Sequence, residues 1–400
     1  MTVEPRYGDA ELQSLMGDVY SAQILVVDDM KLMRQMIGMS LQKSGYNNII
    51  YASDGDEALE TIAAEMPDLV ILDLNMPRVS GYEVCKVLRK NPKTQSLPVL
   101  IQSAVDKPEE RSEVFKAGAT DFVSKPINQA ELISRVGMHL ENRLLIANLT
   151  DFYGNMRREL VMAREMQESL LPNIDSMKAA LKSHDVVVES YYKASYELGG
   201  DLWGAWELPN DKFGFFILDV SGHGVGAALN TFRIHAVMDS LDEEKLDPAA
   251  FLKALNDELA TSFATGQFAT MFYGVLDLKS KELVYAGAGA PRPIVISSEG
   301  DIRYLESEGF PVAITNSADY DNKTEQLSQG DCILCYSDVL LEAPALNGEF
   351  LGEDGLEMLV QSCKLSHVND HHLVRTVIDQ FMGIVPDALP DDLTAIGIHV

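Results

Sequence analysis

Two sets of carboxylates in this sequence have the residue types and spacing to do chemistry. In the first, Asp28 and Asp29 follow the apolar run Ile24-Leu25-Val26-Val27, and Asp73 follows Leu69-Val70-Ile71-Leu72. Ser103 and Lys125 close two further runs, the second just before Pro126. Residues at the carboxyl ends of strands in an open parallel sheet converge on one crevice. Three carboxylates crowded there repel one another unless a hard divalent cation sits among them, and Mg2+ with oxygen ligands is the natural choice. One carboxylate can then attack a phosphoryl donor and become an acyl phosphate, with Lys125 and the cation neutralising the group in transfer. The second set is Asp201 in Gly199-Gly200-Asp201, Asp219 in Asp219-Val220-Ser221-Gly222-His223-Gly224, Asp338 in Ser337-Asp338, and Asp391 before Asp392. Glycines beside the first two let backbone and carboxylate close on a bound ion. A pair of hard ions held there would acidify a bridging water and aim it in line at a phosphoryl group, with no protein nucleophile. An isolated Asp at a turn is commonly a cap and a strand-end Lys is commonly solvated, so the ordered sets, not single residues, carry both readings.

The elements that must position the first set are legible as short apolar runs at 24–27, 48–51, 69–72, 99–101 and 121–123, alternating with helical-period segments. That pattern predicts parallel strands joined by helical crossovers, a doubly wound α/β domain with a five-stranded sheet over 21–140, after an N-terminal extension 1–20. From about 128 to 171 the text is one helical pattern without Pro, broken at Leu171-Pro172, and 141–172 reads as a linker. Leu145, Leu149, Phe152, Met156, Leu160, Ala163 and Leu170 approximate a heptad stripe with an irregular step from Met156 to Leu160. Two readings stand: a coiled coil that pairs two copies, and a long helix packed on its own domains. Beyond Pro172, strands at 186–192, 213–220, 271–278, 283–286 and 332–336 and helices at 225–241, 248–264, 356–363 and 371–382 predict an α+β layered domain over 173–400. The positions of the second set lie at ends or turns of these strands.

Composition mainly excludes. With 400 residues and 46% hydrophobic content, two globular domains can each bury a core. A net charge of −29 opposes a phosphate backbone or an anionic membrane, and no Lys/Arg-rich stretch reverses it, so no nucleic acid and no membrane partner is expected. The N-terminus carries Glu4, Asp9 and Glu11 in place of a basic-then-apolar signal, and nowhere do about 18 apolar residues run unbroken. Four scattered cysteines fit a reducing cytoplasm rather than a disulfide framework.

The segments Val26-Val27-Asp28-Asp29, Leu72-Asp73-Leu74-Asn75-Met76-Pro77 and Ser124-Lys125-Pro126 resemble the response-regulator receiver family across the whole first domain. The resemblance implies Asp73 as phosphoacceptor, one Mg2+ held by Asp28, Asp29, Asp73 and the Asn75 backbone carbonyl, Lys125 and Ser103 in the phosphoryl-transfer machinery, and Phe122 as the aromatic switch. It also implies a sensor histidine kinase as donor. The second set, with Ala163-Arg164-Glu165-Met166-Gln167-Glu168-Ser169-Leu170-Leu171-Pro172, Ala269-Thr270-Met271-Phe272 and Asp391-Asp392-Leu393-Thr394, resembles the metal-dependent, type 2C-like serine/threonine phosphatases of the bacterial sigma-factor-regulating branch. That resemblance implies a four-layer αββα sandwich and two Mn2+ or Mg2+ ions. Asp219 would bridge both ions with the Val220 carbonyl assisting, Asp338 and Asp391 would complete one shell, Asp201 would act directly or through water, and Asp392 would stand behind the ligands. The implied substrate is a phosphorylated anti-sigma-factor antagonist. Two positions depart from the pattern. Val339 stands where the family usually has Gly, so that its φ and bulk would distort the loop, and Ala205 stands near where this branch often has another acid. His223 reads either as a proton shuttle or as a cap on the following helix.

Other motifs carry less. Gly222-His223-Gly224-Val225-Gly226-Ala227 fits a loose dinucleotide fingerprint, but a second helical pattern follows where a βαβ unit needs a strand. Gly199-Gly200-Asp201 resembles a cyclase signature, without the acidic-aromatic continuation. Cys332 and Cys335 have zinc-like spacing, yet their odd separation in a strand puts them on opposite faces as core thiols. Asp239 with Asp242, and His371 with His372, read as helix surface. Two functions are therefore expected in competition: a response regulator whose Asp73 phosphorylation controls a protein phosphatase, and a degenerate phosphatase domain acting as a phosphorylation-gated adaptor.

Overall fold

The protein is described here from a computed structural model covering residues 19–103, 108–346, 348–367, 372–386 and 388–400. The expected extension 1–20, save its last two residues, and His371 lie outside the described residues. The chain forms two compact units, Met1–Met156 and Arg157–Val400.

In the first unit, β1 (Ile24–Val27), β2 (Ile49–Ala52), β3 (Leu69–Asp73), β4 (Val99–Ser103) and β5 (Asp121–Ser124) form a parallel sheet in the order β2-β1-β3-β4-β5. Its helices are α1 (Lys31–Lys43), α2 (Gly55–Glu65), α3 (Gly81–Lys90), α4 (Pro108–Lys116) and the beginning of α5 (Gln129–Glu168). Strands β1 and β3 are buried along their whole length, which is why they read as unbroken apolar runs. Leu25, Val27, Val70 and Leu72 pack on one face with Ala58, Ile62, Val84 and Leu88. Ile24, Val26, Leu69 and Ile71 pack on the other with Ile37, Leu41, Leu132, Val136 and Leu140. Because the chain passes from β1 to β2 on one side and to β3 on the other, the switch point falls between β1 and β3, at whose carboxyl ends stand Asp28 and Asp73. Helix α3 is started by a capping box in which Ser80 and Glu83 satisfy each other's backbone N–H groups.

The boundary between the units falls inside α5, within the expected linker. Of the expected heptad positions, Leu145, Leu149, Phe152 and Met156 are exposed, while Leu160 and Ala163 are half-buried.

The second unit adds α6 (Ile174–Lys182), α7 (Val225–Ser240), α8 (Pro248–Leu259), α9 (Val339–Glu342), α10 (Gly352–His367) and α11 (Leu373–Met382) to two antiparallel sheets. One sheet comprises β7 (Leu202–Leu208), β8 (Lys212–Val220), β9 (Ala269–Asp277), β10 (Glu282–Ala288) and β13 (Lys323–Gln326) in the order β13-β10-β9-β8-β7. The other comprises β6 (Val187–Lys193), β11 (Ile294–Ile296), β12 (Ile302–Tyr304), β14 (Cys332–Tyr336) and β15 (Leu393–His399) in the order β12-β11-β14-β15-β6. Three cores define the layers. Trp203, Phe215 and Phe272 of the first sheet meet Ile333, Cys335 and Ile396 of the second in the middle. Phe216, Leu218 and Tyr273 pack outward on Ile234, Phe251 and Leu255 of α7 and α8. Leu334, Tyr336 and Ala395 pack outward on Leu356, Val377 and Phe381 of α10 and α11. The result is the four-layer αββα order. Cys335 faces the middle core and Cys332 the opposite face, and all four cysteines are buried and none forms a disulfide.

Strands β7, β11, β12, β13 and β15 extend the sheets beyond the runs visible in the sequence. No helix among the described residues is long and apolar enough to cross a membrane. Ala205, near the position where an acid is common in the phosphatase branch, points from β7 into the middle core with Trp203, Phe215 and Ile217. An acid there has no partner. Ala205→Asp is therefore expected to cost about 3 kcal/mol of stability, read as a lowered thermal midpoint of the second unit, with no added metal binding.

Candidate functional site

Asp28 and Asp73, at the ends of adjacent strands, come together with Asp29. Among the described residues they are the trio in which one carboxylate oxygen from each lies within 4.8 Å of the other two. Asp28 is fully buried and Asp29 is exposed, so the cluster opens to solvent on one side. Lys125, at the end of β5, places Nζ 2.7 Å from Asp73 Oδ2 and 3.4 Å from Asp28 Oδ2. Burial holds the Asp28 carboxyl above its usual range, an effect the Met30 N–H and Lys125 partly offset. Ser103 is buried at the end of β4, and its carbonyl accepts the Lys125 N–H at 2.8 Å. Asn75 follows two residues after Asp73 and donates its N–H to Asp73 Oδ1 at 3.4 Å. Phe122 is half-buried on β5, with Phe115 edge-on at 6.0 Å and the Arg135 guanidinium over its ring at 5.7 Å. Arg135, on α5, also grips both oxygens of Asp121 at 2.6 Å. One all-oxygen trio plus one ammonium suits a hard divalent cation and a transferring phosphoryl group.

The second set gathers where the carboxyl end of β8 meets the end of β14 and the start of β15. Gly200 is the point of closest approach: a Cβ there would lie 2.8 Å from the Val220 carbonyl oxygen and 3.3 Å from Asp219 Oδ1. The Val220 N–H in turn donates to the Gly200 carbonyl at 3.3 Å. Asp201 is buried and accepts from Thr394 Oγ1 of β15 at 2.6 Å, so both sheets contribute. Ser337 N–H donates to the Thr394 carbonyl at 2.9 Å, which holds the Asp338 turn beside the Asp391 turn. Asp392 is consumed by structure: Oδ1 accepts from Ser195 N–H at 2.7 Å and Oδ2 from Gly200 N–H at 2.5 Å. The loop after Asp219 turns tightly at Gly222 (φ 92) and Gly224 (φ 78), a conformation that residues with a Cβ rarely adopt. A narrow cleft lined by Asp219, Thr270, Pro291, Tyr336 and Asp338 leads to the cluster.

These carboxylates are under electrostatic strain. Burial and then the charge of Asp219 raise Asp201 well above the usual carboxylate range. Burial, Asp338 and Asp391 push Asp219 up to about 7. Burial, Asp391 and Glu342 push Asp338 up to about 6. Asp391 is raised by burial, with His223 opposing. No Lys or Arg is among the principal influences on Asp201, Asp219 or Asp338. An oxygen-only set lacking a side-chain cation fits divalent metal ions, which relieve the repulsion that burial enforces.

Comparison with known proteins agrees with both geometries. Residues 24–137 match the family described as response regulator receiver domain, and residues 209–400 match Stage II sporulation protein E (SpoIIE). The chain carries a receiver domain and a SpoIIE-type, PP2C-like phosphatase domain. The phosphatase domain is 27% identical over 195 residues to the phosphoserine phosphatase RsbP of Bacillus subtilis, covering 48% of this chain and 47% of that protein. The receiver domain is 43% identical over 116 residues to the response regulator MprA of Mycobacterium ulcerans, covering 29% of this chain and 49% of that protein. The chain thus spans about half the length of the curated relatives it matches. The SiaA-PP2C domain of Pseudomonas aeruginosa shares the fold, with a TM-score of 0.55 at 20% identity over 62% of this chain and 98% of that one.

Two expectations about the phosphatase domain need correction. Val339 does not distort its loop. Asp338 has φ −63, Val339 opens α9 in the right-handed helical region, and its side chain is buried with Leu340 and Tyr336. A β-branched residue adopts that backbone without strain. His223 does not cap α7, because Gly224 occupies the N-cap with no side-chain hydrogen bond. The imidazole instead stacks on Tyr196 at 4.8 Å.

Sequence reasoning missed Gln167 and Thr394 as positioning residues. Gln167, on α5, is buried and binds the Gly199 carbonyl (2.7 Å), the Gly199 N–H (3.2 Å) and Thr231 Oγ1 (3.0 Å). It therefore fixes the turn that presents Asp201 against α7. Its only signal in the sequence was its place in the 163–172 segment that resembles the phosphatases.

The raised pKa values set a pH dependence. Each is above its unfolded value, so in chelator the ionised cluster costs stability that is regained as pH falls through about 7 and about 6. Divalent ions compete with those same protons. The rise in thermal midpoint on adding Mn2+ should therefore grow from about pH 6 to about pH 8, and Asp219→Asn should flatten it. Thermal scans of both proteins in chelator and in Mn2+ check this, and an equal Mn2+ effect across the range would count against metal binding at Asp219.

Proposed function

We propose that this protein is a two-component response regulator in which phosphorylation of Asp73 controls metal-dependent hydrolysis of phosphoserine or phosphothreonine on a partner protein. The observation that carries the proposal is the set of buried Asp201 with half-buried Asp219, Asp338 and Asp391, strained by its own charge, in a SpoIIE-type domain related to a phosphoserine phosphatase. Asp219 with the Val220 carbonyl would face both ions, Asp338 and Asp391 would complete one shell, and Asp201 would hold the other side directly or through water. Two Mn2+ or Mg2+ ions bound there supply an acidified water at neutral pH. The protein's part is to fix the oxygens, through Thr394, Asp392 and Gln167, and to hold the phosphate ester at the end of the Asp219 cleft.

In the receiver domain, Asp28, Asp29, Asp73 and the Asn75 carbonyl would hold Mg2+. A sensor histidine kinase is the donor in this reading. The Asp73 carboxylate forms the new O–P bond, the phosphorus–nitrogen bond to the kinase histidine breaks, and Lys125 neutralises the incoming group with Ser103 beside it. Phe122 is the route outward, because Arg135 of α5 touches both its ring and Asp121. A shift there reaches the first turns of α5, the helix that continues into the linker. The exposed stripe Leu145, Leu149, Phe152 and Met156 supports pairing of two copies through the linker. The substrate that fits the relatives is an anti-sigma-factor antagonist in a partner-switching system of the cytoplasm. The competing adaptor reading rested on Val339, whose helical conformation removes its motive.

Mn2+-dependent phosphate release from a phosphoserine protein, with and without a beryllofluoride mimic at Asp73, tests the proposal with Asp219→Ala as blank. Release should exceed the blank by roughly a hundredfold or more, and the mimic should change it in the wild type but not in Asp73→Ala. No release above the blank under any condition would leave the adaptor as the function.

A further inference from the structure

The phosphatase reading gives no task to the loop Gly309-Phe310-Pro311-Val312-Ala313-Ile314, which borders the carboxylate cleft. Val312 exchanges two backbone hydrogen bonds with Ala269, at 3.0 and 2.8 Å, and Ala269 is the residue paired with Val220 across β8 and β9. Two ladder steps therefore separate Val312 from Val220, about 10 Å at the usual spacing of strands. Pro311 lies against Gly289, where an added Cβ would come within 3.1 Å of Pro311 Cγ. The two residues after Gly289, Ala290 and Pro291, line the same cleft as Asp219, Thr270 and Asp338.

The loop is held in one shape. Ala313 has φ 70, the left-handed region that a residue with a Cβ seldom occupies. Asn256, fully buried on α8, enforces it: Oδ1 accepts the Ala313 N–H at 2.9 Å and Nδ2 donates to the Thr315 carbonyl at 3.0 Å. Backbone strain of this kind persists where the surroundings over-determine it, and it concentrates at sites that clamp a ligand. Val312 is 1% exposed, whereas Phe310 is 62% exposed and Ile314 50%. A fixed loop thus presents two large apolar side chains to solvent beside the carboxylate cleft. Preordered aromatic anchors of this kind carry a large share of binding energy, because little freedom is lost on contact.

A protein that lays a phosphoserine in the cleft lays its neighbouring residues on the rim, of which this loop is one part. Three residues of extended chain reach about 10 Å, which matches the step from Val220 to Val312. We propose that the 309–314 loop is a docking ledge for the substrate protein, taking an apolar side chain about three residues from the phosphorylated serine or threonine. The proposal rests on the phosphatase reading of the same cleft and adds the substrate's apolar flank to it.

The test uses the full chain in Mn2+ with three probes. These are p-nitrophenyl phosphate, a phosphoserine peptide with leucine three residues to either side of the phosphoserine, and the same peptide with serine at those positions. Wild type should favour the leucine peptide in kcat/KM. Phe310→Ala and Phe310→Ala/Ile314→Ser should remove roughly tenfold of that preference through KM, with p-nitrophenyl phosphate turnover unchanged. Fluorescence anisotropy of the labelled peptides should give the same order of Kd without turnover. An unchanged leucine preference in the variants, or an equal loss with all three probes, overturns the ledge. Failure of the wild type to turn over p-nitrophenyl phosphate sinks the phosphatase reading, and the anisotropy series then decides the ledge by the same criterion. A variant that alters the mass of the assembly while keeping the leucine preference assigns the loop to contacts between copies, which also overturns the proposal.

Discussion

Crowding of like charges is the constraint on which the rest of the structure depends. Two separate folds gather carboxylates that repel one another: Asp28, Asp29 and Asp73 each place a carboxylate oxygen within 4.8 Å of the others in the first, and Asp201, Asp219, Asp338 and Asp391 raise one another's pKa values in the second. Burial and neighbouring charge raise Asp219 and Asp338 above the usual carboxylate range, which records the cost of that crowding in the second set. What keeps them together is the packing behind them. Fully buried strands hold Asp28 and Asp73 at the switch point, and a core drawn from both sheets holds the ends of β8, β14 and β15 in register. Hydrophobic burial is thus spent on placing charges where a divalent ion or a phosphoryl group can use them.

The two clusters solve the problem differently. The receiver cluster includes its own cation, Lys125, bonded to both Asp73 and Asp28, so one further divalent ion is enough to balance it. The phosphatase cluster has no such partner among its principal influences and relies on hydrogen bonds that spare its oxygens for ligands. Asp392 takes up the loose N–H groups of the Gly199-Gly200-Asp201 turn, and Gln167 ties that turn to α7. Gln167 belongs to the same helix as Arg135, which grips Asp121 beside Phe122.

How much of this was legible in the sequence follows from the physics of each element. Strands buried on both faces read as unbroken apolar runs ending in the residues that matter, so the receiver sheet and its Asp and Lys positions could be located directly. Strands β11, β12 and β13 have only three or four residues, and Thr394 and Gly397 interrupt the apolar text of β15, so the second domain's sheets were seen only in part. Ala205 and Val339 looked like defects because residue type was compared with a motif, whereas burial decides their role: one fills the middle core and the other opens a helix. Gln167 and Thr394 act through partners 32 and 193 positions away, a relation that periodicity cannot carry.

We propose that each carboxylate cluster is a metal site built by its fold. Counting bound Mn2+ on the full chain by electron paramagnetic resonance tests it most directly. The account expects Asp219→Ala to lose the ions of the phosphatase domain while keeping the receiver ion, and Asp73→Ala to lose the receiver ion alone. A count unchanged by Asp219→Ala would contradict it.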